Sequence, residues 1–233
     1  MKKTKKNTDN RTLIKKLAMS ITKLLKKISF YGSQQYWESR YAAGGTSGAG
    51  SYGQFAEFKG QVLNSFVTDF NISSVIEFGC GDGNQLSLAN YQSYIGLDVS
   101  KTAIKLCKER FKHDKTKSFF LYAPNCFVDM CSVFKAELAL SLDVIYHLVE
   151  DEIFELYMKH LFSASDKFVI IYSSNTEVNK PFSVSHVRHR CFTECIEKNF
   201  PEWKLIKRIT NEQLPENYKK TKVWADFFIY EKI

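Results

Sequence analysis

Residues 74–100 read SVIEFGCGDGNQLSLANYQSYIGLDVS, and no other stretch narrows the fold as far. Residues 74–78 are a short apolar run rich in β-branched and aromatic side chains, broken by Gly79, Gly81 and Gly83. A helix-compatible segment over 84–90 follows, and a second apolar run over 94–99 carries Asp98 near its end. The order strand, glycine turn, helix, strand is the opening of a parallel α/β sheet. Ligands of such sheets sit outside the carboxyl ends of the strands, where the glycines and Asp98 both fall.

The spacing narrows the ligand. A dinucleotide fingerprint needs G-x-G-x-x-G, whereas this turn runs E-x-G-x-G-x-G from Glu77 to Gly83, with Asn84 where the third glycine belongs. Glycines let the backbone take positive φ and approach a ligand closely. Asp98 can accept hydrogen bonds from both hydroxyls of a ribose, each charge-assisted bond being worth about 1.5–3 kcal/mol. No Lys or Arg lies within 74–100, so nothing there neutralises a pyrophosphate. A cationic nucleoside suits the turn better.

The segment E-F-G-C-G-D-G followed by G-L-D-V-S resembles the first two motifs of class I S-adenosylmethionine (SAM)-dependent methyltransferases, and the likeness covers nearly the whole chain after residue 30. The resemblance implies an α/β fold, a doubly wound Rossmann-like sheet of seven strands with the last antiparallel. It also implies SAM as cofactor, with Gly79, Gly81 and Gly83 under the methionine part, Glu77 organising the methionine end and Asp98 on the ribose. Val99, beside Asp98, and Leu142, at the end of the fourth strand, join the expected cofactor set.

Upstream, residues 34–43 suggest a short aromatic helix, 44–53 a glycine and serine loop, and 54–70 a longer amphipathic helix. The loop reads as a flexible linker by composition, but its place before the glycine turn, with Tyr52 in it, favours a lid. Segments similar to its Tyr-Trp-Glu-x-Arg-Tyr cover the cofactor in such methyltransferases. That makes Trp37, Arg40 and Tyr41 cofactor candidates, Arg40 for the methionine carboxylate, and Tyr52 a substrate candidate.

Downstream, a helix over 101–111, a strand over 117–122 and a strand over 136–142 continue the alternation. The family places a polar residue after the third strand to bind adenine; Asn125 stands there, with Asp129 second. Asp143, Tyr146 and His147 follow the fourth strand. Asp143 and His147 are the titratable groups beside the expected transfer point, and His147 is either a turn-holding residue or a general base. A helix over 151–162 and an apolar strand over 168–172 precede Ser185-His186-Val187-Arg188-His189-Arg190. There His186 and His189 are further base candidates, and the Arg188 and Arg190 forks suit a phosphate, phosphoramidate or carboxylate. Metal ligation by His186 and His189 is disfavoured because the neighbouring arginines repel a cation, so no metal site is expected. A helix over 191–200 and strands over 203–210 and 223–230 close the fold.

Charge and cysteines bound the remaining choices. Residues 1–30 hold nine Lys and one Arg against one Asp, a net of +9; the whole chain is +8, so the other 203 residues total −1. A nearly neutral body disfavours nucleic acid as partner. The basic end divides into a polar tail and, over 13–28, an apolar stripe with lysines around it, which would lie on an anionic membrane or pack against protein. Six cysteines without CxxC spacing read as reduced thiols of a cytoplasmic protein, peripheral at the inner membrane if the stripe binds lipid. The domains are then 1–30, basic tail and amphipathic helix, and 31–233, the methyltransferase.

The expected function is methyl transfer from SAM to a small-molecule acceptor. A likeness to methyltransferases of bacterial surface polysaccharide clusters implies O-methylation of a sugar or of a phosphate or phosphoramidate substituent in capsule biosynthesis. N-methylation of a small metabolite, a scaffold that binds SAM without turnover, and a nicotinamide oxidoreductase are the alternatives.

Overall fold

The computed structural model describes residues 30–179, 184–210 and 225–233. The amphipathic stretch 13–28 and the loop 211–222 fall outside the described residues. Helix α1 (Ser33–Ala42) precedes α2 (Gly53–Asp69). Strands β1 (Ser74–Phe78) and β2 (Ser93–Asp98) then lead into α3 (Lys101–Arg110) and β3 (Lys117–Leu121). After them come β4 (Ala136–Leu142), α4 (Asp151–Ser163), β5 (Ser165–Ser173), α5 (Phe192–Asn199), β6 (Trp203–Ile209) and β7 (Asp226–Lys232).

The sheet order is β3-β2-β1-β4-β5-β7-β6. Strands β1 to β5 pair in parallel, while β7 runs antiparallel between β5 and β6. The chain winds outward from β1 to β3, then returns to lay β4 on the other side of β1. That reversal opens a crevice at the carboxyl ends of β1 and β4.

Apolar side chains fill both faces. Phe58, Leu63 and Phe66 of α2 and Ile104 of α3 pack on one side, and Phe154, Met158 and Leu161 of α4 with Ile196 of α5 pack on the other. Val169, Ile170 and Ile171 of β5 are wholly buried, as expected of a strand covered on both faces.

One expected element is missing. Residues 84–90 form no α-helix, only the 3₁₀ turn Leu86–Leu88. The Asp82 carboxylate accepts from the Asn84 amide at 3.0 Å and the Asn84 side chain donates to the Ser51 carbonyl at 2.7 Å. Short polar side chains that bind nearby backbone compete with helix formation.

Candidate functional site

A cavity of about 390 Å³ lies over the crevice, within the size range of small-ligand sites. Its floor is the glycine turn. Gly79 (φ +90°) and Gly81 (φ +57°) are in left-handed conformations, and a Cβ at either would collide with Val144 or with Ser47. The Gly81 amide donates to Asp98 Oδ2 at 2.9 Å and the Ser100 amide to Oδ1 at 2.8 Å. Each carboxylate oxygen keeps a further lone pair for a ligand. Asp98 is 6% exposed and lines the cavity; burial pushes its carboxyl up to about 6 against those two amides. Glu77, 3% exposed, also lines it, accepts from the Tyr94 hydroxyl at 2.6 Å and is raised by burial to about 7.

The roof comes from α1 and the loop after it. Ser33 donates its amide to Glu150 Oε1 at 2.8 Å, and its hydroxyl lies 2.6 Å from Oε2. Glu38 of α1 accepts from the Ser100 hydroxyl and from the amide and hydroxyl of Thr102, at 2.7, 3.1 and 2.7 Å. The loop is sewn to the glycine turn through Asp82, which accepts from the Ser47 amide and the Tyr52 hydroxyl, while the Asp82 amide donates to Ser47 Oγ. Burial works against ionisation of Asp82, but these donors and the Asn84 amide outweigh it and hold the carboxyl below its usual range.

At the end of β4, Asp143 takes φ +60°. Its Oδ2 lies 2.5 Å from the ammonium of Lys59, a fully buried residue of α2, and its Oδ1 accepts from the Tyr146 hydroxyl at 2.7 Å. His147 Nδ1 sits 2.8 Å from the carbonyl oxygen of His186. A carbonyl only accepts, so the proton is on Nδ1 and the Nε2 lone pair is free to accept. Burial pushes this imidazole down to about 4, which keeps it neutral at neutral pH.

Three solved structures share the architecture. The methyltransferase domain of bacterial CtHen1-C aligns with a TM-score of 0.59 at 20% identity, over 76% of this chain and 97% of its own. N-methyltransferase NodS from Bradyrhizobium japonicum WM9, in complex with S-adenosyl-l-homocysteine, aligns with a TM-score of 0.61 at 12% identity over 86% and 98%. Magnesium protoporphyrin IX methyltransferase (ChlM) from Synechocystis PCC 6803, with bound SAM, gives 0.57 at 15% over 91% and 97%. The chain has a methyltransferase fold. No protein-family model matches it, and no curated protein does.

Within this methyltransferase fold the cavity gathers Trp37, Tyr41, Glu77, Gly79, Gly81, Asp98, Val99, Asn125, Leu142, Asp143 and His147 of the expected residues. Others lie elsewhere. Arg40 donates to the Thr46 carbonyl at 2.6 Å and lies over Trp37. Gly83 packs against Phe111 and Cys107 of the α3 region. Asp129 accepts from the amides of Val133 and Phe134. Tyr52 and Tyr146 spend their hydroxyls on Asp82 and Asp143.

The basic cluster is the largest correction. Arg188 and Arg190 turn to the start of α4, where both pair with Asp151 and donate to the Val149 carbonyl. Arg190, 7% exposed, also donates to the Leu148 carbonyl, so neither guanidinium faces the cavity. Burial and pairing explain the difference: the carbonyls before α4 need donors, and these arginines supply them. His186 stacks on Tyr36 and acts on His147 through its carbonyl, and His189 bonds to the Ser174 hydroxyl. Among the described residues no cluster could hold a metal, and no helix is long and apolar enough to cross a membrane.

Lys59, Glu38, Ser47, Asp82 and Gln85 were not singled out from the sequence. Lys59 alone left a signal, a lysine on the apolar side of the helix expected over 54–70.

Proposed function

We propose that this chain is a SAM-dependent methyltransferase acting on a small-molecule acceptor. The observation that carries the reading is Asp98: a buried carboxylate at the end of β2, pre-oriented by two backbone amides, with acceptor capacity left over in a cavity beside a glycine turn. No Lys or Arg lines that cavity among the described residues, so a pyrophosphate has no partner there, whereas a cationic nucleoside meets the carboxyls of Glu77 and Asp98. SAM supplies an activated methyl group on a sulfonium. The protein's share is to align the acceptor with that methyl and exclude water, and the α1 roof serves the second need. Where the acceptor is a hydroxyl or an amine, the free Nε2 of the neutral His147 accepts a hydrogen bond from it and orients it toward the methyl.

A sugar hydroxyl remains the acceptor implied by the resemblance to surface polysaccharide methyltransferases. A phosphorylated or phosphoramidate acceptor loses its support, because Arg188 and Arg190 are engaged at α4. N-methylation of a small metabolite is the second reading.

Calorimetry tests the proposal. SAM and S-adenosylhomocysteine (SAH) should bind and NAD should not; binding of NAD alone would end the reading. Asp98→Ala should weaken SAH by about 2 kcal/mol while the domain stays folded. Because burial raises Asp98 to about 6 and Glu77 to about 7, both carry protons at pH 5 that a cationic ligand must displace. Affinity for SAM should therefore rise as pH climbs through 6 to 7 and level off above.

A further inference from the structure

The charge of the body is unevenly spread. Residues 101–121 hold six Lys and one Arg against one Asp and one Glu, a net of +5, so the other residues of 31–233, which sum with them to −1, carry −6. That basic stretch is α3 and β3, and β3 is a terminal strand of the sheet. Lys101, Lys105 and Lys108 recur at helical spacing along one flank of α3, and all three are exposed. Arg110, on the opposite flank, donates to the Asn84 side chain after the glycine turn, so the lysine flank is turned toward the β3 edge. No ion pair among the described residues engages Lys105 or Lys108.

On the other face of β3 stands an apolar loop. Phe119 points toward α3, its ring stacked on Phe111 at 5.6 Å, whereas its neighbour Phe120 meets Phe134 edge-on at 5.2 Å on the opposite face. Between β3 and β4, Val128, Met130 and Val133 are 72, 88 and 56% exposed, and Leu121 at the end of β3 is 56% exposed. The one carboxylate of residues 122–135 is spent inward. Asp129 accepts from the amides of Val133 and Phe134 at 2.9 and 2.8 Å, which fixes the loop and leaves its aliphatic side chains outermost. At the base of the same loop Pro124, Asn125 and Cys126 line the cavity.

Unpaired lysines beside protruding aliphatic side chains fit an anionic lipid surface, where the ammonium groups meet headgroups and the apolar groups enter the acyl boundary. A second copy of the chain fits badly, because two such edges would set like charges against each other. Nucleic acid also fits less well, since exposed bases stack on aromatic rings and the protruding side chains here are aliphatic. We propose that the β3 edge, made of the α3 lysine flank and the loop over 127–134, docks on an anionic membrane and holds the Asn125 end of the cavity beside it. The inference needs no particular cofactor.

The test sediments the full chain with vesicles of phosphatidylcholine alone and of phosphatidylcholine with about one third phosphatidylglycerol. The anionic vesicles should carry the protein down and the neutral ones should not. Val128→Ser with Met130→Ser, and separately Lys105→Gln with Lys108→Gln, should each weaken binding at least about tenfold. The thermal midpoint should stay unchanged in both, because all four side chains are exposed. Binding that either pair of substitutions leaves intact would put the lipid contact elsewhere and overturn the inference, as would no binding to anionic vesicles. A single-stranded RNA oligonucleotide bound where vesicles are not would assign the edge to nucleic acid instead. A dimer in solution that Val128→Ser with Met130→Ser dissociates would assign it to a second copy.

Discussion

Lys59 and Asp143 form an ion pair across the end of β4, with the lysine side chain fully buried. Lys59 is wholly inaccessible, its ammonium 2.5 Å from Asp143 Oδ2 and 5.3 Å from the Tyr172 ring centroid. Asp143 in turn receives the Tyr146 hydroxyl and adopts a backbone conformation that Asp tolerates better than most residues. Removing one member of a buried pair leaves the other's charge uncompensated, at a cost of about 3–5 kcal/mol. Lys59→Met should lose that much in a urea titration, and Lys59→Met with Asp143→Leu should recover part of it. Equal stability of the single and double variants would mean that Asp143 left without its partner is not destabilising, against the account of an uncompensated charge. Asp143 was legible in the sequence as a candidate; its partner was not, since residues 84 positions apart carry no spacing signal.

The roof is an element held at its start and its middle by carboxylates. Glu150 grips the start of α1 through Ser33, and Glu38 ties its middle to the first turn of α3, accepting from Thr102 where free amides and the helix dipole favour a negative charge. The Ser100 hydroxyl bond is the main cause holding the Glu38 carboxyl below its usual range. Glu38→Ala should cost about 1 kcal/mol, as loss of a helix cap does. It should also speed protease cleavage within residues 44–53 and leave the β-sheet core resistant. Unaltered cleavage would mean that the ties through Ser33 and Asp82 suffice to hold the roof. A glycine and serine loop of this composition reads equally as linker or lid; its seam to the glycine turn depends on Ser47, Ser51, Tyr52, Asp82 and Asn84 meeting across the cavity.

For the whole molecule, the positive charge is concentrated at one end of the sequence. The +9 of residues 1–30 contrasts with a body that sums to −1, and among the described residues the cavity is lined from Tyr31 onward. Deleting residues 1–29 should therefore leave the thermal midpoint and the SAH dissociation constant unchanged, measured by calorimetry. A weakened SAH complex would show that the basic segment contributes to the cavity. The alternation of apolar runs, the glycine turn and Asp98 were sufficient, read from the chain alone, to specify a parallel α/β sheet and the end of it where a ligand would sit, because strand periodicity and turn chemistry are local properties; the count of seven strands came from the family resemblance. Which polar groups face that ligand was decided only in three dimensions. His186, Arg188, His189 and Arg190 looked equivalent along the chain, yet unmet carbonyls before α4 and a serine hydroxyl claimed most of them. Lys59 was brought to Asp143 by the packing of α2, and the Ala56 carbonyl of the same helix oriented the amide of Gln85. Hydrogen-bond demand and burial are set by neighbours distant in sequence, and no local pattern records them.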